Sequence, residues 1–341
     1  MATHSLTCSN PDCSLVSDGK CVEGYEAGEC PHAGSISIDD VPEAEEPETE
    51  VEFPEPMMAL SSGEALNRNE ASILQRRHVS RSIGLIGPNN SGKTSLIAGM
   101  YDLLQVGPIS GAAFAGSSTL IGFEKVCHLA RAVSRRMVPH TERTTRGADA
   151  TFFHLDLHHA DIGLTSLFIG DRSGEDYLAA ADQLSQADQF FEIRRADCIT
   201  LLVNGEQLAD SGQRHEAKAV TTQMIDALIE ARAIRRGCRL AIVLTKKDSV
   251  LASPHAERVQ RDFDGLVASI RGSHTPYLGE MKPFVVAASP KECEQVKRGE
   301  GVGDLLLFWL QTSPPAPNAG EGTRPIFERM IDRLTNGKDG K

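Results

Sequence analysis

The sequence predicts an α/β fold, a doubly wound and mostly parallel sheet, with a small cysteine-rich module at its N-terminus. Three observations lead there. The stretch Gly87-Pro88-Asn89-Asn90-Ser91-Gly92-Lys93-Thr94 fits the pattern of a glycine, four residues, a second glycine, a lysine and a hydroxyl residue. Short apolar runs at residues 82–86, 164–169, 198–203, 240–244 and 283–288 alternate with segments of helical period, the pattern of a parallel sheet covered by helices. Cys8, Cys13, Cys21 and Cys30, with His32 two residues later, crowd a leading segment too poor in large apolar side chains to form a core.

The glycine-rich stretch follows a strand-like run and precedes Leu96, Ile97, Met100, Leu103 and Leu104, which keep helical spacing. A strand, a tight loop and a helix in that order suit a polyphosphate. Successive backbone N–H groups of the loop and the helix N-terminus converge on the anion, and Gly87 and Gly92 allow close approach. Lys93 can set a point charge on the outer phosphates and Thr94 can place its hydroxyl on a bridging magnesium ion. Asn89, Asn90, Ser91 and Ser95 complete the expected nucleotide contacts of this stretch.

Composition narrows the classes. The chain has 341 residues, of which 40% are hydrophobic. Its longest apolar run, 305–310, is far short of the roughly 20 residues a membrane span requires. With no secretory or lipidation pattern, the expectation is a soluble cytoplasmic protein without a membrane partner. A net charge of -12 argues against general nucleic-acid binding, although much of that excess lies between Asp39 and Glu55.

Taken in order, residues 1–34 are expected to form a zinc-stapled module, with Cys8, Cys13, Cys21, Cys30 and His32 competing for four tetrahedral positions. An iron–sulfur or redox role and a flexible tail with free thiols are the alternatives. Residues 35–70 are acidic and proline-punctuated and read as a disordered linker. Residues 71–312 form the nucleotide-binding domain, and 313–341 a tail. A short helix is expected within 64–78, a glycine- and serine-rich connection at 107–122, and a helix at 123–138 that carries Arg131, Arg135 and Arg136. In the loop before the strand 150–158, Thr145, or else Thr144, is placed to sense the outer phosphate through its magnesium. The run 164–169 ends in Gly170-Asp171-Arg172-Ser173-Gly174-Glu175. Asp171 at the strand's end can hold the magnesium shell, and the Gly174 N–H can approach the terminal phosphate.

A helix is expected at 175–196, then a strand at 198–203. Val220, Met224, Leu228, Ala231 and Ile234 fall on one helical face before a stop at Gly237. The strand 240–244 delivers Thr245-Lys246-Lys247-Asp248. A carboxylate at Asp248 can accept both N1–H and the exocyclic amine of guanine, a pair adenine does not offer, and the stem of Lys246 can cover the ring. Ser253 reads as an N-cap before Pro254 at a first helical position. A last strand at 283–288 ends in Ala288-Ser289-Pro290, a closing helix spans 302–310, and a further helix is expected at 326–334.

The order of these motifs resembles that of the translation-factor and Ras-like P-loop GTPases over residues 80–310. Ala288-Ser289-Pro290 stands where those proteins carry Ser-Ala-Lys, which assigns Ser289 to the nucleotide site. The cysteine-rich head on such a domain is similar to bacterial GTPases of paired, double-GTPase conflict or signalling systems. The resemblance implies GTP/GDP and Mg²⁺ as cofactors, hydrolysis of GTP in a molecular switch, and effector or regulator proteins, a second GTPase among them, as partners. Lys93, Thr145 and Glu175 then take the catalytic positions. Glu175 replaces the family's water-orienting glutamine and cannot donate a hydrogen bond while ionised, so slow turnover is expected. Asn90 matches the asparagine with which cation-activated members help bind K⁺. Two other classes stay open, an ATP-dependent P-loop enzyme and a nucleotide-braced scaffold without significant hydrolysis.

Overall fold

A computed structural model describes residues 6–8, 25, 26, 29, 33–35, 61–134, 149–182, 184–290 and 296–311. The chain divides into two units, Met1–Ala59 and Leu60–Lys341. In the first, β1 (Leu6–Cys8) pairs antiparallel with β2 (Ala33–Ser35) and sets Cys8 opposite Ala33. Cys13, Cys21, Cys30 and His32 lie outside the described residues, as do Thr144, Thr145 and the helix expected at 326–334.

The second unit contains α1 (Arg68–Leu74), β3 (Ser80–Ile86), α2 (Lys93–Val106), β4 (Ala112–Gly116), α3 (Leu120–Ser134), β5 (Thr151–His159) and β6 (Gly163–Asp171). After these come α4 (Gly174–Asp182), a 3₁₀ turn (Leu184–Gln189), α5 (Phe191–Arg194), β7 (Cys198–Asn204), α6 (Gly205–Ala209) and α7 (Arg214–Glu230). The chain then adds β8 (Arg239–Thr245), α8 (Lys247–Ala252), α9 (Ala256–His274), β9 (Met281–Val285) and α10 (Val302–Leu310). Seven strands form one sheet in the order β4-β5-β6-β3-β7-β8-β9. From β6 to β9 neighbours run parallel, whereas β4, β5 and β6 pair antiparallel. The central strands read as unbroken apolar runs because helices cover both faces; β7 and β8 are buried throughout.

Alternation along β3 sends Ile83 and Leu85 into one core, with Leu96, Met100, Phe153 and Trp309, and Ile86 into the other, with Ile199, Met224 and Phe263. A third cluster, Leu66, Ala71, Phe152 and Phe168, seats α1. The sheet thereby carries all its parallel strand ends to one side, which is where a phosphate-binding loop must emerge.

Several expectations are corrected. The linker read as far as residue 70 ends earlier: Leu66 is buried and exchanges backbone hydrogen bonds with Phe152 at 2.9 Å, and Asn67 and Glu70 form a capping box on α1. Composition marks the acidic stretch but not the point where apolar side chains resume. The connection at 107–122 contains β4, an edge strand held by pairing with β5 rather than by its own propensity. The single helix expected at 175–196 is broken into α4, the 3₁₀ turn and α5, because Phe190, Glu192 and Ile193 all turn inward. Glu192 accepts from Arg172 Nε at 2.7 Å and from the Tyr177 hydroxyl at 3.0 Å, a buried network that a straight rod could not reach.

Helix α7 stops at Glu230. Arg232 takes φ 55°, and the Ala233 and Arg232 N–H groups bond Leu228 and Ile229 carbonyls, a Schellman ending made without glycine. Ile234 is buried from beyond that stop. Helix α9 begins at Ala256, and Ser253 instead caps the end of α8 while its hydroxyl accepts from the His255 N–H. The closing helix falls at 302–310 as expected. Among the described residues no helix is long and apolar enough to cross a membrane.

Arg239 ties the end of that helix to the sheet. Its guanidinium, 2% exposed, lies 3.8 Å over the Phe308 ring, donates to the Phe308 and Gln311 carbonyls at 2.6 and 2.9 Å, and pairs with Glu280 at 2.8 Å. Arg239→Met should lower stability by about 2–3 kcal/mol, since buried acceptors lose a charged donor. Urea unfolding followed by the fluorescence of the single tryptophan, Trp309, should show an earlier midpoint at an unchanged slope.

Candidate functional site

Strand β3 runs straight into the loop of residues 87–92, and α2 begins at Lys93. Asn90, at φ 60°, and Gly92, at φ 91°, both take left-handed backbone, which turns consecutive N–H groups toward one concavity. Ser91 is 1% exposed and its hydroxyl has no hydrogen-bond partner, an orphaned polar atom of the kind an anion's oxygen satisfies.

The Lys93 side chain folds over this loop. Its ammonium donates to the Gly87 carbonyl at 2.8 Å and to the Pro88 carbonyl at 3.2 Å. Burial pushes its pKa down from 10.5 to about 8, and the nearby Asp171 carboxylate opposes the shift. Asp171 stands buried at the last position of β6, and Thr94 is half-buried on the first turn of α2. A hydroxyl and a carboxylate at the phosphate end are the hard oxygen donors magnesium takes.

Gly174, the first residue of α4, lies directly on the loop. A Cβ there would stand 2.6 Å from the Gly87 carbonyl oxygen and 2.9 Å from the Asn89 nitrogen, so only glycine lets the two backbones meet. Beside it the Asn89 amide donates to the Glu175 carboxylate at 2.5 Å. The Asp-x-x-Gly turn and the phosphate loop are thus joined by a backbone contact and by a side-chain hydrogen bond.

Strand β8 supplies the other end of the site. Thr245 Oγ1 donates to the Ser91 carbonyl at 2.8 Å and lies 3.1 Å from the Val203 carbonyl, so this threonine braces the loop. Lys246 sits in left-handed backbone at φ 56°, and Asp248 is buried on the first turn of α8. A cavity of about 530 Å³ is lined by Asn90, Gly92, Ser95, Lys246, Asp248 and Ser289, among others. Residues of the loop at 87–92, Lys246 and Asp248 of the Thr-Lys-x-Asp stretch, and Ser289 therefore share one space. A larger, more open groove of about 990 Å³ between α7 and α9 contains none of the motif residues.

Two residues of this cavity escape motif reading. Asn204, 3% exposed at the end of β7, donates to the Asn90 carbonyl at 3.1 Å and caps α6. Glu206 pairs with Lys246 at 2.7 Å. The signal available in the sequence was Asn204-Gly205-Glu206 after a buried strand, an N-cap pattern. Among the described residues no group of three or more His, Cys, Asp or Glu side chains is arranged to hold a metal by itself.

The family described as Double-GTPase 2 matches residues 81–310. No curated protein matches by sequence. Solved structures also resemble the chain, three of them as follows. The signal recognition particle receptor SRb-GTP/SRX complex from Chaetomium thermophilum is 15% identical, over 68% of this chain and 98% of that one, with a TM-score of 0.40. The mammalian SRP receptor is 13% identical over 61% and 92%, with a TM-score of 0.34. The S. cerevisiae Ski7 GTPase-like domain, bound to GTP, is 13% identical at a TM-score of 0.38, and the match covers 70% of this chain but about half, 51%, of that one.

The Lys93 geometry has a measurable consequence. With a pKa of about 8 the empty site holds a partly neutral amine above that pH, while a bound polyphosphate requires the ammonium. Binding should then take up protons, and affinity should fall as pH rises above about 8, by up to about tenfold per unit. Calorimetry at pH 8.5 in buffers of different ionisation enthalpy should show uptake of about three-quarters of a proton; at pH 6.5 the uptake by this group should vanish.

Proposed function

The chain belongs to the Double-GTPase 2 family, and on that premise we propose that its cavity binds GTP, with guanine at Asp248 and the triphosphate on the loop at 87–94, and turns it over slowly as a switch. The observation that carries this reading is the meeting of two ends in one cavity. Asn90, Gly92 and Ser95 from the phosphate end and Lys246 and Asp248 from the other line the same space, while Gly174 closes on the loop from outside it. Adenine offers no N1–H and exocyclic amine pair for a carboxylate at Asp248 to accept, which speaks against an ATP-dependent enzyme.

At the phosphate end, the N–H groups from Asn89 to Ser95, the Ser91 hydroxyl and Lys93 receive the anion. Lys93 exchanges its two carbonyl partners for phosphate oxygens. Thr94 and Asp171 are the residues that would hold magnesium, with Thr145, or Thr144, sensing the terminal phosphate. The metal, when bound, neutralises charge between the outer phosphates. Gly174, whose backbone lies against the loop, would offer its N–H to the terminal phosphate. Glu175 stands where the attacking water would be oriented. Held by Asn89, its carboxylate can accept the water's hydrogen bond but repels phosphate oxygens, which makes turnover slow.

At the base end, Asp248 accepts from guanine, Lys246 covers the ring, and Thr245 and Ser289 shape the walls. Asn90, exposed at the rim in left-handed backbone, is the residue we assign to a potassium ion beside the phosphates. For the N-terminal unit we retain a zinc module in a cytoplasmic protein. The partner is proposed to be an effector, a regulator or a second GTPase.

Asp248→Asn should weaken GTP binding by about 2–4 kcal/mol, because a charge-assisted bidentate contact is lost. Xanthosine triphosphate should become the preferred ligand in calorimetry. Unchanged GTP affinity would remove Asp248 from the base site.

Unassisted turnover should be on the order of 10⁻³ s⁻¹ or slower, as for GTPases without an arginine finger. Replacing sodium with potassium should raise it at least about tenfold, which needs only about 1.4 kcal/mol in the transition state. Asn90→Ala should abolish that gain while GTP affinity stays within a few-fold. Equal rates in the two salts would return Asn90 to a purely structural role in the loop.

A further inference from the structure

Glu206 belongs to no nucleotide motif, yet it is built into the base end of the cavity. Three observations place it there. Strand β7 ends in Asn204, whose side-chain oxygen accepts from the Glu206 and Gln207 N–H groups at 3.0 and 3.4 Å and starts α6. The next residue, Gly205, lies against the Thr245 carbonyl so closely that a Cβ would overlap it, which brings α6 hard against the residue before Lys246. From that position the Glu206 carboxylate takes the Lys246 ammonium at 2.7 Å.

Half of the Glu206 side chain is exposed, and a pair of this kind contributes little to folding. What it does is remove freedom. Lysine carries a flexible four-carbon stem, and covering a purine ring requires that stem in one arrangement; anchoring the ammonium beforehand spares the ligand that ordering cost. The backbone beneath is already fixed by left-handed φ at Lys246, by the two Thr245 contacts and by the Lys247 N–H bonded to the Val286 carbonyl. Only the stem remains to be set.

We infer that Glu206 is a positioning residue for nucleotide binding: through its ion pair it presets Lys246 across the base. This rests on the GTP-binding reading above. The opposite end of the same bridge, Asn204 Nδ2 on the Asn90 carbonyl, ties the Lys246 support to the phosphate loop. Glu206 acts on the base alone, so a ligand without a base is indifferent to it.

The test is a double-substitution cycle on the full chain, with GDP and inorganic pyrophosphate as probes. Glu206→Gln should weaken GDP about fivefold, the order expected for freeing one long side chain, and should speed its dissociation. Pyrophosphate affinity should stay within about twofold and the melting temperature should hold. In a Lys246→Met background the same substitution should change GDP affinity less than about twofold, because the group it acts through is gone. Unchanged GDP affinity in Glu206→Gln, an equal loss in both backgrounds, or an equal loss for pyrophosphate would each overturn the inference. Absence of GDP binding by the unsubstituted chain would overturn the GTP-binding reading, and this inference with it.

Discussion

The working end of this molecule depends on the backbone of residues 87–92 being held open by groups that come from other strands. Within the loop one backbone hydrogen bond forms, Ser91 N–H to the Pro88 carbonyl at 3.3 Å, and most of its carbonyls need partners from outside it. Those partners arrive from three directions: Thr245 on the Ser91 carbonyl, Asn204 on the Asn90 carbonyl, and Lys93 on the carbonyls of Gly87 and Pro88. Two of the three are uncharged side chains at the ends of neighbouring parallel strands. The brace therefore exists because the sheet places β7 beside β3 and β8 beside β7, with their ends together.

The third partner is of another kind. Lys93 is the one brace that ligand binding must displace, and it is held in a place that disfavours its charge. Burial of an ammonium beside carbonyls alone is a poor substitute for a phosphate, so part of the binding free energy is already stored as desolvation. Asp171 moderates that cost from the end of β6. The same pair of residues sets the charge balance into which magnesium would enter, which is why a single strand end connects ligand charge, metal and lysine.

The Asp-x-x-Gly segment is mechanically divided. Its first part is fixed: Arg172 is buried, bonded to Glu192 and 5.0 Å from the Phe190 ring centroid, with Tyr177 on the same carboxylate. Its second part, Gly174 and Glu175, rests on the phosphate loop through a backbone contact and the Asn89 amide. An incoming triphosphate changes the field at the second part without disturbing the first. Bringing a carboxylate and a polyphosphate to the same loop is unfavourable, so the Asn89–Glu175 bond is sensitive to the charge the loop holds. That is the local chemistry a switch needs, with a rigid anchor on one side and a charge-sensitive latch on the other.

The sequence by itself determined the alternation of strands and helices, the phosphate loop, the Asp-x-x-Gly turn and the Thr-Lys-x-Asp stretch at a strand's end. Each is local: a period of side chains, a glycine where backbone must bend, a charged residue at a strand's end. Thus β3, β6, β7 and β8 were readable as apolar runs, and α10 was read at its observed span, 302–310, from its apolar face. Only the tertiary structure decided β4, which is a strand because β5 lies beside it, and the break in 175–196, which follows from where Glu192 must reach. Asn204, Glu206 and the bracing role of Thr245 were decided the same way. Their partners are 40 to 154 residues distant in sequence, and no local pattern encodes which strand ends a sheet brings together.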